Sequence, residues 1–183
     1  PWDYVDTGLF SDHRDTRLLV RDLAAGKDFL NLYCYTGAFS CYAARGGAAS
    51  TTSVDRSETA IAWVKDNFAL NGIDKTAHTL VQAHAFDFLE QAKKRGQTFD
   101  LAVVDPPSYS TTRVRGVDFD ILRDHPALIG AVLEIMRKGG VVFFSTNHQD
   151  FKPRMDALKV EAITEITGLT IPEDYVRKRA PIH

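Results

Sequence analysis

Short apolar or β-branched runs alternate with longer stretches of helical periodicity along this chain, and that alternation leaves few folds open. The runs at 29–33, 50–54, 78–83, 99–104 and 140–144 have the length of strands and carry mostly apolar or β-branched residues at successive positions. Strands of that kind are buried on both faces. Between them the spacing predicts helices over 12–25, 38–45, 57–70, 85–95 and 120–137. In the first, the apolar face is read from Leu18, Leu19 and Leu23, and Gly26 closes it. Gly46 and Gly47 stop the second, and Ser57 is placed to cap the third, which ends before Gly72. A short helix at 153–159 and a last strand at 161–171 are also expected. Alternating βα units with covered strands give a parallel sheet between two helical layers. Right-handed crossovers make it a doubly wound α/β sheet, whose ligands bind beyond the carboxyl ends of the strands.

At 183 residues and 44% hydrophobic, the chain suits one domain over 1–183, with an N-terminal segment and helix (1–26) packed on the ligand site and a core over 27–183. The net charge of −2 does not indicate a strongly basic nucleic-acid module. No apolar run approaches the roughly 18 residues of a membrane span, and the opening residues carry no secretion signal, so a cytoplasmic location is expected. Cys34 and Cys41 form neither a C-x-x-C pair nor a disulfide framework.

Three predicted strand ends carry chemistry. Tyr33, Cys34, Tyr35, Thr36 and Gly37 follow the first strand, Asp55, Arg56 and Ser57 the second, and Asp105, Pro106, Pro107, Ser108 and Tyr109 the fourth. Asp55 stands 18 residues after Gly37, where a carboxylate accepts hydrogen bonds from ribose hydroxyls. It equally suits the cap of the helix that follows. The first loop holds one glycine rather than G-x-G-x-x-G, so it lacks the backbone cradle of a pyrophosphate. A nucleoside cofactor without phosphate fits better than a dinucleotide, and S-adenosylmethionine is the expected one, with S-adenosylhomocysteine as its product.

Asp105-Pro106-Pro107 ends a buried strand. Proline gives no donor to a ladder and holds the preceding residue extended. The result is a stiff, carbonyl-lined turn beside Tyr109, suited to grip a nucleobase while an aromatic ring stacks on it; the plainer alternative is a strand terminator. No cysteine stands in this turn or over 144–147 to attack a cytosine ring. Cys34 and Cys41 are read as packing residues, and His13, His125 and His148 as locally hydrogen-bonded. No cluster has metal-ligand spacing, so no metal is expected.

Taken together, the segments 8–14, 29–37, 105–109 and 123–125 resemble the bacterial ribosomal RNA large-subunit methyltransferases, over almost the whole chain. The resemblance is nearest to the guanine-N7-methylating C-terminal domain of the bifunctional rRNA guanine methyltransferases; the PUA-type rRNA cytosine-C5 methyltransferases are related. It implies a Rossmann-like class I methyltransferase fold and methyl transfer from S-adenosylmethionine to guanine N7 of 23S rRNA. By that implication Asn31, Tyr33, Tyr35, Thr36 and Gly37 line the methionine and ribose, and Asp55 takes the ribose hydroxyls, with Arg56 and Ser57 beside the adenine. Phe10, Asp12 and Arg14 close the methionine end, Arg14 toward the carboxylate. Asp105, with Pro106 and Pro107, forms the catalytic turn near the methyl donor, and Ser108, Tyr109, Arg113 and Asn147 face the substrate.

Two departures stand out. The family places an acid after the third strand for the adenine amino group; here His84 stands there, before Ala85, and a neutral imidazole still accepts a hydrogen bond. The family's final antiparallel strand is not found, so a piece of a longer protein is expected, with upstream RNA-binding domains helping to hold the rRNA. Arg113, Arg115, Arg123, Lys152, Arg154, Arg177, Lys178 and Arg179 suit a phosphate-tracking rim or a solvated face. Rival functions are methylation of another RNA base, a small molecule or a protein, NAD-dependent redox chemistry (disfavoured by the single glycine), and a noncatalytic docking domain.

Overall fold

The computed structural model describes residues 8–110, 119–149 and 151–175. In chain order the elements are α1 (Arg14–Leu23), β1 (Asp28–Leu32), α2 (Ala38–Arg45), β2 (Ser50–Asp55), α3 (Glu58–Leu70), β3 (His78–Gln82), α4 (Ala85–Lys94), β4 (Phe99–Val104), β5 (Tyr109–Ser110), β6 (Phe119–Asp120), α5 (Ile121–Leu133), β7 (Met136–Phe144) and α6 (Thr167–Thr170). Five strands form one sheet in the order β3-β2-β1-β4-β7, every neighbouring pair parallel. This is the expected three-layer α/β sheet, and among the described residues no strand pairs outside β7.

The period of two along each strand explains why the central runs are apolar throughout. Phe29, Leu101 and Val103 pack with Val20, Ala24, Phe39 and Ala43 of the α1–α2 layer. Leu30, Leu32, Ala102 and Val104 face Phe88, Leu89, Leu128 and Val132 on the other side. Val64 and Phe68 of α3 pack with Cys34, Cys41 and Ile73. The α1–α2 crossing is close at Gly46, where a Cβ would lie 2.1 Å from the Arg21 carbonyl oxygen.

Differences from the predicted elements cluster late in the chain. Helix α5 ends at Leu133 rather than 137, because β7 begins at Met136, and Phe99 N–H bonds Ile135 O at 2.9 Å. Pro126 lies inside α5 and has no N–H for the Leu122 carbonyl. Arg154 supplies the donor: its Nη2 bonds Leu122 O and Arg123 O, both at 2.8 Å. The fully buried His125 holds the same strap, with Nδ1 at 2.7 Å from Ile121 O and Nε2 accepting the Arg154 N–H at 2.9 Å. Residues 153–159 are therefore held against α5 through side chains and form no helix. Residues 161–166 are irregular and mostly exposed, and only the single turn of α6 follows, so the strand expected at 161–171 is not formed. This segment crosses to α1 instead of joining the sheet, and the Arg14 guanidinium grips the Asp174 carboxylate there.

Candidate active site

Register sets the site. Leu32 pairs with Val54 and Val104, Val54 with Val81, and Val104 with Phe144. The residues that follow these strands thus leave the sheet side by side. Strand order reverses between β1 and β4, so their crossovers diverge and open a crevice at the carboxyl edge.

The loop after β1 holds two left-handed non-glycine residues, Tyr33 (φ 58°) and Tyr35 (φ 48°). Such conformations cost about 1–3 kcal/mol each and persist only where their surroundings fix them. Here Cys34 N–H bonds Val54 O at 3.0 Å, Gly37 N–H bonds Cys34 O at 2.8 Å, and Asn67 Nδ2 bonds Thr36 O at 2.8 Å. Thr36 Oγ1 donates to Gly8 O at 2.7 Å, tying the loop to the N-terminal arm. Gly37 (φ 75°) has no substitute, since a Cβ there would lie 2.6 Å from Val64 Cγ1.

Asp55 is part of that fixation. Its Oδ2 accepts the Tyr35 N–H at 3.0 Å and its Oδ1 the Ser57 N–H at 2.9 Å. The cap of α3 is Ser57, whose Oγ accepts the Ala60 N–H at 3.2 Å. Each Asp55 oxygen retains a lone pair for a ribose hydroxyl. The Asp55 carbonyl accepts the Ala83 N–H at 2.9 Å, which sets the β3 tip beside it. There His84 precedes α4 and stacks on Phe86, centroids 6.0 Å apart and planes 20° from parallel. Ala85 is buried and Arg56 exposed.

The cleft between the β1 and β4 tips is lined by Phe10, Asn31, Tyr33, Tyr35, Thr36 and Asp105, all expected from the sequence, and by His13, Arg17, Cys34, Ala38 and Phe39. Asn31 is buried and donates to Ser40 Oγ at 2.9 Å, and Ser40 bonds Ser53 at 2.7 Å. Phe10 and Tyr35 rings approach at 5.3 Å. Burial pushes the Tyr33 phenol above its usual range, with the Asp55 charge adding to the effect. Asp12 and Arg14 are not among the lining residues. Arg14 is exposed and pairs with Asp174 through both nitrogens, which raises its pKa, and Ser11 bonds Tyr175.

His13, expected only as a locally hydrogen-bonded residue, and Arg17 join the cleft because the face of α1 turned inward is not the one its leucines suggest. Leu18, Leu19 and Leu23 are 39–41% exposed, whereas Thr16, Arg17 and Val20 are buried. The spacing of His13, Arg17, Val20 and Ala24 was the signal. Arg17, 3% exposed, donates from Nη1 to Phe10 O at 2.6 Å and lies 5.5 Å from the Tyr42 ring centroid. His13 Nε2 stands 3.7 Å from Asp105 Oδ2.

The turn after β4 is tied to the segment after β7. Ser145 Oγ donates to Asp105 Oδ1 at 2.6 Å, and the Ser108 hydroxyl donates to Asn147 Oδ1. Pro106 is buried, Pro107 exposed, and Tyr109 stands 57% exposed at the rim. Ser145 is a further residue the sequence reading did not single out. Both cysteines are buried; burial drives the Cys34 thiol well up and the Cys41 thiol up to about 11. Neither is a thiolate at neutral pH. Among the described residues no group of His, Cys, Asp and Glu forms a metal site, and no helix is long and apolar enough to cross a membrane. Arg113 and Arg115, with 177–179, lie outside the described residues. Of the remaining basic rim, Arg123 pairs with Asp124 and Arg154 holds carbonyls of α5.

Asp55 with open lone pairs, flat His84 and Phe86 beside it, and the buried polar groups of the cleft fit a nucleoside that carries an amino acid. Comparison with known proteins agrees. The profile of the S-adenosylmethionine-dependent methyltransferase family matches residues 3–176. The ribosomal RNA large subunit methyltransferase K of Neisseria meningitidis is 46% identical over 178 residues, 96% of this chain and 50% of that protein. The K/L enzyme of Psychromonas ingrahamii is 46% identical over 183 residues, 99% of this chain and 24% of that protein. The chain thus spans half or less of the curated relatives it matches. A crystal structure of a protein assigned as a methyltransferase, complexed with S-adenosylhomocysteine, superposes with a TM-score of 0.76 at 38% identity, covering 81% of this chain and 38% of that one. The chain belongs to the S-adenosylmethionine-dependent methyltransferase family.

Proposed function

We propose that this chain is the catalytic domain of a cytoplasmic enzyme that methylates large-subunit ribosomal RNA at guanine N7. The observation that carries the reading is the meeting, at one sheet edge, of the cofactor cleft with the Asp105-Pro106-Pro107 turn and the exposed Tyr109. The relatives named as ribosomal RNA large subunit methyltransferases support the substrate class.

Bound S-adenosylmethionine supplies an electrophilic sulfonium methyl. Asp55 would hold its ribose, His84 would accept a hydrogen bond from its adenine amino group, and the loop of Tyr33, Tyr35, Thr36 and Gly37 would line its methionine arm. Guanine N7 is already an acceptor with an outward lone pair. Attack on the methyl needs no general base, so the protein's part is alignment, and near-attack positioning supplies much of the barrier reduction. The turn at Asp105, braced by Ser145 and by the Ser108–Asn147 bond, orients the base while Tyr109 stacks on it. The buried cysteines disfavour cytosine-C5 chemistry, which needs a thiolate at the ring. RNA-binding domains outside this chain would supply much of the affinity for rRNA.

The test is transfer of labelled methyl from S-adenosylmethionine to protein-free 23S rRNA, followed by nuclease digestion and mass spectrometry. Label in 7-methylguanosine supports the proposal, with turnover falling in Tyr109→Ala while S-adenosylhomocysteine affinity holds. Label in another nucleoside, or cofactor binding without transfer to RNA, refutes it.

A further inference from the structure

Strands β4 and β7 run in parallel with Val104 opposite Phe144, so residues 105–108 and 145–147 leave the sheet together. Two side-chain bonds then join them. Ser145 Oγ donates to Asp105 Oδ1 at 2.6 Å, and the Ser108 hydroxyl donates to Asn147 Oδ1. The backbone around the second bond is fixed on both sides. Ser108 O accepts the Ile121 N–H at 3.1 Å, and Thr146 Oγ1 accepts the His148 N–H at 3.2 Å. Asn147 is exposed, and its Nδ2 meets no acceptor among the described residues. A side-chain amide can present either end, since its oxygen accepts and its nitrogen donates. Ser108 settles which end is offered: it occupies Oδ1 and leaves Asn147 as a donor. Ser108 also precedes Tyr109, so this donor and the exposed Tyr109 ring belong to one rim.

The purine edge that carries N7 tells guanine from adenine at the neighbouring position, where guanine O6 accepts and adenine N6 donates. A donor placed there pairs with guanine and opposes the amino group of adenine. We propose that Asn147, oriented by Ser108, donates to O6 of the base whose N7 is methylated, and that this pair makes the site selective for guanine. A bond to O6 leaves the N7 lone pair free to form its bond to the methyl carbon, as the methyl–sulfur bond breaks and its electron pair stays on sulfur. Asn147 touches the base, and Ser108 is a positioning residue that acts through it. This rests on the guanine-N7 reading and adds what selects the base.

The experiment measures single-turnover methyl transfer to two RNAs, one with guanine and one with 2-aminopurine at the position where wild type places its label. 2-Aminopurine keeps N7 and lacks O6. Wild type is expected to favour guanine about 10- to 100-fold. Asn147→Ala should cut that preference about tenfold by slowing the guanine RNA alone. Ser108→Ala, which frees the amide to turn, should cut it about three- to tenfold. Ser108→Thr keeps the hydroxyl and should restore it. S-adenosylhomocysteine affinity should be unchanged in all three variants. A merely structural bond would slow both RNAs alike, and that result, or a full preference for guanine in Asn147→Ala or Ser108→Ala, overturns the proposal. Absence of 7-methylguanosine with wild type overturns the guanine-N7 reading itself, and this inference with it.

Discussion

Replacing Asp55 with alanine removes a structural staple as well as the carboxylate proposed to bind the ribose, and the two losses are separable. Without cofactor, the N–H groups of Tyr35 and Ser57 lose acceptors at 3.0 and 2.9 Å. A hydrogen bond to a charged partner contributes about 1.5–3 kcal/mol. Both residues are only half-buried, so water replaces part of each bond. Relaxation of Tyr35 from its left-handed backbone offsets a further part. A net cost of about 2–3 kcal/mol is expected for Asp55→Ala, and about half of it for Asp55→Asn, which keeps one oxygen. Urea unfolding without cofactor measures this term. Repeating it with S-adenosylhomocysteine at 100 times the wild-type Kd should add about 2.7 kcal/mol to wild type. If the substitution raises Kd 100-fold, Asp55→Ala gains only about 0.4 kcal/mol. A wild-type midpoint for Asp55→Ala in the absence of cofactor refutes the staple; a full ligand-induced shift in that variant refutes the ribose contact.

Gly37→Ala combines an unfavourable φ with a 2.6 Å clash on Val64 and should destabilise by about 2–4 kcal/mol; adding Val64→Ala should recover the steric share, and strictly additive costs in the double-mutant cycle would show the clash is absent. Arg154→Met should lower stability by about 1 kcal/mol, because the Leu122 carbonyl opposite Pro126 loses its donor, and an unchanged Tm counts against that role. The Ser50 hydroxyl and then Arg137 hold the Asp28 carboxyl below its usual range, so its contribution is complete above about pH 4 and is lost as pH falls through the folded value. Arg137→Met should therefore narrow the stability difference between neutral and acid pH, and a pH profile identical to wild type refutes the linkage. Cys34 and Cys41 should resist iodoacetamide at pH 8 in the folded protein, and labelling at the rate of unfolded chain would contradict their burial.

Where local chemistry and tertiary packing ask for the same thing, the sequence is enough. Helix α2 lies over 38–45 as predicted because Gly37 and Gly46 bracket it, and each glycine is also required by a close neighbour. Strand β4 runs 99–104 because its apolar run stops at a residue pair that cannot extend a ladder. The chain beyond β7 was misread because its partners are distant. The donors that answer Pro126 come from Arg154, and the acceptor for the Arg154 N–H is His125 on α5. No local pattern over 153–159 records those bonds. The same holds for Asp174, whose partner Arg14 is 160 positions away.

The candidate site was legible at the strand tips, where Gly37 marks a left-handed turn and Asp55 and Asp105 each set a carboxylate at a strand end. It was not legible on α1, for a physical reason. A helix packed only for burial would turn Leu18, Leu19 and Leu23 inward; this one leaves them 39–41% exposed and buries Arg17 and His13. Rotating three leucines partly into water while desolvating a guanidinium is unfavourable on both counts. Packing against α2 through Val20 and Ala24 answers the first cost only in part. The second is answered by the Phe10 carbonyl and the face of Tyr42. The apolar pattern misleads on this helix because the small residues Val20 and Ala24 make the close crossing with Phe39 and Ala43 of α2, and the three larger leucines are left on the flank.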